Sequence, residues 1–192
     1  PNIQLGVTSL SSNDLAVTEW VYPLPGYTVG SSTNVVVKVK NVGSAAQSGF
    51  TMKYSIKNGE TWSSSTYSGS LASGSENIFF FPVQANMGST GLYKMIAVVN
   101  STGDTLNYND TLRQDIISCG TSSGLSGAYT IGGTNPDFNT LSDAVLFLEA
   151  CGVTGACTFT IAPGVYNEQV RIPKITGVSS TKTLTFQAST LG

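Results

Sequence analysis

Histidine is absent from the 192 residues. That excludes Ser-His-Asp and Cys-His catalysis and every His-ligated metal site. Charge is scarce as well: Asp, Glu, Lys and Arg make up 10% of the chain, against roughly 25% in a typical soluble domain. Nine Lys and Arg against eleven Asp and Glu leave a net charge of -2, which excludes the basic surface that nucleic-acid binding requires. No apolar run approaches the ~20 residues needed to cross a bilayer as a helix. The N-terminal PNIQLGVTSL has neither a basic nor an apolar region of the signal-peptide kind, so the expectation is a removed signal or a piece excised from a longer protein. The three cysteines, Cys119, Cys151 and Cys157, form no CxxC pair, and three thiols without histidine make a poor metal site.

What is abundant is the neutral hydroxyl: 25 Ser and 23 Thr, a quarter of the chain, together with 21 glycines. A hydrophobic fraction of 40% still supplies a core, so global disorder is excluded. The profile is that of a β-rich secreted or extracellular protein.

From Asp14 to about Arg113, short strands alternate with turn clusters. Asp14–Trp20 alternates, with Leu15 and Val17 on one parity and Ala16, Thr18 and Trp20 on the other. Pro23-Leu24-Pro25-Gly26 is a turn, and VVVKV at Val35–Val39 is a strand broken by Asn41-Val42-Gly43. FTMKYSI at Phe50–Ile56 places Phe50, Met52, Tyr54 and Ile56 on one face, the pattern of a half-buried strand. Asn58-Gly59 is a hairpin-type turn. A weaker stretch runs through Trp62, Tyr67 and Leu71. Ile78–Phe81 is short and apolar, Leu92–Val99 is long, and the chain returns through Leu106, Tyr108 and Leu112. Strands at this spacing, without helical periodicity, predict an antiparallel β-sandwich of immunoglobulin-like size. NDLAVTEW, VVVKVKNVGS and GDTLNYNDT, over about 100 residues, resemble the bacterial cell-adhesion-related, or CARDB-like, domain. The resemblance implies a sandwich with an adhesive or structural role.

Ile117–Tyr129 is rich in Ser and Gly and reads as a linker. Beyond it, Leu141, Ala144, Val145 and Leu148 recur at helical spacing, widened by Phe147 and Cys151. Asn139 or Thr140 is the expected N-cap, with Asp143 completing a capping box, and Gly152 the stop. Strands follow at Cys157–Ile161, Val165-Tyr166, Val170–Ile172 and Leu184–Phe186. DFNTLSDAV followed by FTIAPGVYNEQVRIP is similar to the opening of right-handed parallel β-helices, as in pectin methylesterases. YTIGGTNPDF adds a resemblance to long surface proteins of the Bacteroidota, which implies type IX secretion. The predicted organisation is therefore a sandwich over 1–113, a linker over 114–130, and the cap helix and first coils of a truncated β-helix over 131–192. An amphipathic helix covers the apolar end of such a stack, which would otherwise promote aggregation.

Candidate chemistry is thin. Cys151 and Cys157 bracket a short turn and could form a local disulfide, as could either with Cys119. Glu168 in GVYNEQV invites a catalytic reading, but in the resemblance its position is structural. Asp104, Asp110 and Asp115 are candidates for a Ca²⁺ site built from oxygen ligands, against solvated turn acids. A lyase-like Ca²⁺ site in the Glu168 segment needs clustered carboxylates, and the nearest there are Asp137 and Asp143, one of them better explained as a helix cap. Asp104-Thr105-Leu106 and Asp110-Thr111-Leu112 resemble the O-glycosylation signal of Bacteroidota surface proteins, which implies glycans on Thr105 and Thr111. Asn100 and Asn109 form N-x-[S/T] sequons. Trp20, Trp62, Tyr67 and Phe79–Phe81 could form a carbohydrate-binding platform, against core filling as the default for most of them; Trp62, in the polar GETWSSSTY stretch, is the best exposed candidate for contact with a glycan. The expectation is a non-enzymatic stalk or scaffold without catalytic residues or cofactor. Its partners are neighbouring modules of the same polypeptide, with surface glycans or other cell-surface proteins beside them. Two alternatives stand beside it: the front of a carbohydrate-active β-helix enzyme with an accessory sandwich, and a carbohydrate-binding module.

Overall fold

The structure, a computed structural model, describes residues 11–57, 59–120 and 124–189. The chain divides into two compact units. One is built from the residues up to Tyr27 with Ser32–Asn86 and Leu92–Ile116, the other from Thr28–Ser31, Met87–Gly91 and Ile117 onward.

The first unit is a β-sandwich. One sheet is antiparallel in the order β1 (Leu15–Tyr22), β2 (Val36–Asn41), β7 (Glu76–Phe80). The other runs β5 (Ser63–Thr66), β4 (Thr51–Ser55), β8 (Thr90–Asn100), β9 (Thr111–Cys119); the first two residues of β8 and the last three of β9 belong to the second unit. A two-stranded ribbon, β3 (Gln47–Ser48) with β6 (Ser70–Leu71), completes it. Alternation holds from Phe50 to Tyr54: Phe50, Met52 and Tyr54 are buried, as are Val37, Val39, Phe79, Phe81, Ala97 and Val99. It stops there, because Ser55 is buried too, its hydroxyl accepting from the Lys57 and Gly59 amides, and Ile56 is half-buried beyond the end of the strand. Tyr54 meets Phe81 edge-on at 4.8 Å, and Phe50 stacks on Tyr67 at 4.7 Å. Aromatic pairs of this geometry add to area burial in fixing the core.

β1 departs from the expected parity. Its register against β2 shifts between Val17 and Glu19 and again between Trp20 and Tyr22. The irregularity after Val17 re-aims the side chains that follow it, so Trp20 is buried together with Leu15 and Val17 although its parity differs; Ala16, ahead of the shift, is buried as well. The turn expected at Asn58-Gly59 includes Asn58, which lies outside the described residues.

The second unit holds a parallel sheet in the order β10 (Leu125–Ile131), β11 (Val153–Ile161), β12 (Leu184–Ala188), with one helix, α1 (Leu141–Cys151). Tyr129, Phe159 and Phe186 occupy one register position across the three strands. Their rings form a column, with centroids 5.3 Å and then 4.8 Å apart. α1 buries Ala144, Val145, Phe147 and Leu148, and Phe138 bridges to Phe147 at 5.1 Å. Thr140 is the N-cap, its hydroxyl accepting from the Asp143 amide, and Gly152 closes the helix at φ +63°, its N–H donating to the Leu148 carbonyl. That left-handed backbone is why glycine stands there.

Three expectations are corrected. The stretch 114–130 is not a linker: it holds the end of β9 and most of β10. LSGAYTI has little strand character alone, but parallel pairing with β11 supplies its hydrogen bonds. Strands do not form at Val165-Tyr166 or Val170–Ile172; Val165 and Ile172 are exposed, and no described strand pairs with them. The cysteine pairing also differs. Cys151 bonds to Cys119, with Cα atoms 5.5 Å apart, not to Cys157. Cys157 lies in β11 with its thiol in the core, whereas Cys151 is the last residue of α1.

Candidate functional site

The three stretches NDL, KNVG and GDTLNYNDT, far apart in sequence, meet at one place in the sandwich. The Leu15 amide donates to Asp104 Oδ2 at 2.8 Å, and Asn109 Nδ2 donates to Asp14 Oδ1 at 2.8 Å. The Val17 amide donates to the Asn109 carbonyl at 3.1 Å, and the Val42 and Gly43 amides both donate to the Asp14 carbonyl. Asn41 is fully buried and acts as a latch. Its Nδ2 donates to the Ala45 and Leu71 carbonyls, each at 2.8 Å, while its Oδ1 accepts from the Gly43 amide. Gly43 is required by close approach, because a Cβ there would lie 2.7 Å from the Ser12 carbonyl oxygen.

Asp14 and Asp110 are both buried. Asp110 Oδ1 and Asn109 Oδ1 are enclosed without a hydrogen-bond donor. Burial, with Asp104 and Asp14 adding like charge, pushes the Asp110 carboxyl up to about 6. Asp104 is held differently, each oxygen accepting an amide proton, from Leu15 and from Leu106. Of the three acids singled out in the sequence, Asp104 and Asp110 therefore act on one another, and Asp14 joins them. Asp115 is exposed on β9 and has no part in the electrostatics of Asp110. The role of Asp14 carries no local signal in the sequence, because its partner Asn109 is 95 residues away. Among the described residues, no three Asp, Glu, Cys or His side chains converge as a ready-made ligand set.

The remaining candidates are dispersed. Thr105 and Thr111 are exposed. The Asn109 amide is engaged by Asp14, so its sequon is occupied by the fold, whereas Asn100 is exposed at the end of β8. Trp62 is 38% exposed, and Lys53 Nζ sits 4.6 Å from its ring centroid. Asp137 is spent on Thr130, accepting from its amide and hydroxyl.

Glu168 has a structural duty. Its carboxylate accepts from the Leu141 and Ser142 amides and the Ser142 hydroxyl, at the first turn of α1. The Ser142 hydrogen bonds hold its carboxyl below the ordinary range. A carboxylate there complements the free N–H groups and the positive end of the helix dipole. Sequence reasoning placed Glu168 as structural but did not find its partner, 26 residues away.

The family model named CARDB matches residues 12–111, more than half of the chain. The chain belongs to the CARDB family. The NDL, KNVG and GDTLNYNDT stretches are thus the internal ties of a CARDB sandwich. Solved structures similar to it include the CARDB domain of a Pyrococcus furiosus protein in complex with di-metal ions, at 20% identity and a TM-score of 0.45, covering 62% of this chain and 98% of that one. A solution structure of the same archaeal CARDB domain is 21% identical, with a TM-score of 0.42, over 57% of this chain and 97% of that one. A Methanosarcina acetivorans domain, whose parent is named as a candidate cell-surface protein, is 18% identical with a TM-score of 0.42, over 55% and 91%. No curated protein matches the chain. Among the described residues, no helix is long and apolar enough to cross a membrane.

Proposed function

We propose that this chain is a non-catalytic part of a large secreted or cell-surface protein of the Bacteroidota type. In this reading the CARDB sandwich is followed in sequence by the capped start of a right-handed parallel β-helix that serves as stalk or scaffold. The observation that carries the reading is the aromatic column Tyr129–Phe159–Phe186 across three parallel strands. A β-helix repeats one register position coil after coil and buries a continuous core by stacking. α1 packs against β10, the first strand of that sheet, as a lid on a first coil would. Backbone ladders and stacked rings resist extension without a reactive group.

The absence of catalysis is part of the proposal. The chain has no histidine, and the acid of its GVYNEQV segment is committed to the helix terminus. The partners in this reading are neighbouring modules of the same polypeptide, with the exposed Thr105 and Thr111 carrying glycans. Intact mass of native material tests the glycans: an unmodified mass overturns that element. Two assays test the rest. The full chain is expected to leave methyl-esterified and de-esterified pectin unchanged, and turnover lost on Glu168→Gln would overturn the non-catalytic reading. Single-molecule pulling between the termini is expected to give discrete unfolding peaks. A featureless extension would contradict a load-resisting stalk.

A further inference from the structure

Asp110 is 8% exposed, and its Oδ1 has no donor; nor does the buried Oδ1 of its neighbour Asn109. The identity of the Asn109 oxygen is fixed, because Nδ2 is the atom that faces Asp14 Oδ1 at 2.8 Å. Two buried oxygens on consecutive residues thus lack hydrogen-bond donors, which folded proteins rarely tolerate. The charges acting on Asp110 are Asp104 and Asp14, both of its own sign. Asp104 accepts one amide proton on each oxygen, so each keeps a further lone pair.

We propose that Asp110, Asn109, Asp104 and Asp14 form a Ca²⁺ site between the loop that precedes β9 and the start of β1. Every donor atom is an oxygen, carboxylate or amide, which is the ligand type of a hard cation. Nitrogen- and sulfur-seeking metals find nothing here. Mg²⁺ demands a tight octahedron and retains its waters, whereas Ca²⁺ accepts an irregular mixture of carboxylate and amide oxygens. Three like-charged carboxylates do not converge unaided. The ion supplies the charge that draws Asp104 and Asp14 onto the oxygens of Asp110 and Asn109. Binding ties the first strand of the sandwich to the loop before β9, two segments already joined by the Leu15–Asp104 and Asn109–Asp14 hydrogen bonds.

The test is calorimetric titration of the chelator-treated full chain with CaCl₂, paired with thermal unfolding in CaCl₂ and in EDTA. A single Ca²⁺ per chain is expected, with a dissociation constant on the order of 10⁻⁴–10⁻³ M, the range of extracellular Ca²⁺ modules, and a higher melting temperature. Asp110→Asn, checked for a native circular dichroism spectrum, is expected to weaken binding roughly tenfold or more, since even loss of supporting groups weakens metal sites that much. Asp115→Asn is expected to bind as the parent does. Absence of both heat and thermal shift in the parent protein overturns the site, whatever the variants do. Undiminished binding in folded Asp110→Asn overturns the ligand assignment, and an equal response to MgCl₂ overturns the choice of Ca²⁺.

Discussion

The rings of Phe159 and Phe186 lie 4.8 Å apart and 12° from parallel, on residues paired in register across β11 and β12. That separation is the interstrand spacing of a β-sheet, so one ring sits directly over the next. Phe159 is fully buried at the centre of the core shared with α1. Phe159→Ala is expected to destabilise the second unit by about 3–5 kcal/mol. Phe186, only partly buried on the edge strand, is expected to cost less when replaced by Ala. Near-ultraviolet circular dichroism during urea unfolding gives the order; equal losses would contradict the column's polarity.

The Cys119–Cys151 bond closes a loop of 32 residues. Chain-entropy estimates for such a loop give about 3–4 kcal/mol. Cys119→Ser is expected to lower the melting temperature of the second unit accordingly. Peptide mapping of unreduced protein is expected to recover Cys119 linked to Cys151. Cys157, whose thiol burial pushes its pKa up, is expected to resist thiol reagents until the protein unfolds.

Glu168→Gln is expected to reduce thermal stability, because it removes the charge that meets the first turn of α1. The folded carboxyl is held below its ordinary 4.5. Its contribution is therefore present above that value and is lost as pH falls through the lower folded pKa. Melting temperature against pH should show a shallower acid limb in the variant than in the parent; identical limbs would rule out the helix-capping role.

Asp110 has the opposite sign. Its carboxyl is raised from 3.8 to about 6, so its contribution is fully favourable below 3.8 and is lost as pH rises through 6. In EDTA at pH 7.5, Asp110→Asn is expected to be more stable than the parent, with the difference vanishing towards pH 4. A variant less stable than the parent at pH 7.5 would contradict the crowding of like charge.

Much of this was legible in local pattern. The alternation of FTMKY set the buried face of β4, and the spacing of Leu141, Ala144, Val145 and Leu148 set the helix, with Thr140 and Gly152 as its ends. Features decided by distant partners were not. The parity of β1 changes at irregularities that depend on its pairing with β2. β10 looked like linker because its strand character comes from β11. The choice of Cys119 over Cys157 as the partner of Cys151 follows from which side chain faces the core. The Asp14–Asn109 tie and the Glu168 cap span 95 and 26 residues, beyond the reach of any local periodicity.

The parallel column is tested most directly by interstrand nuclear Overhauser contacts in the labelled chain. A stacked β-coil predicts the parallel pattern of amide and Hα contacts pairing Thr158 with Thr185, Phe159 with Phe186 and Thr160 with Gln187. Close Hα–Hα contacts between β11 and β12, the mark of antiparallel pairing, or a shift of one residue that separates the two phenylalanines, would contradict it.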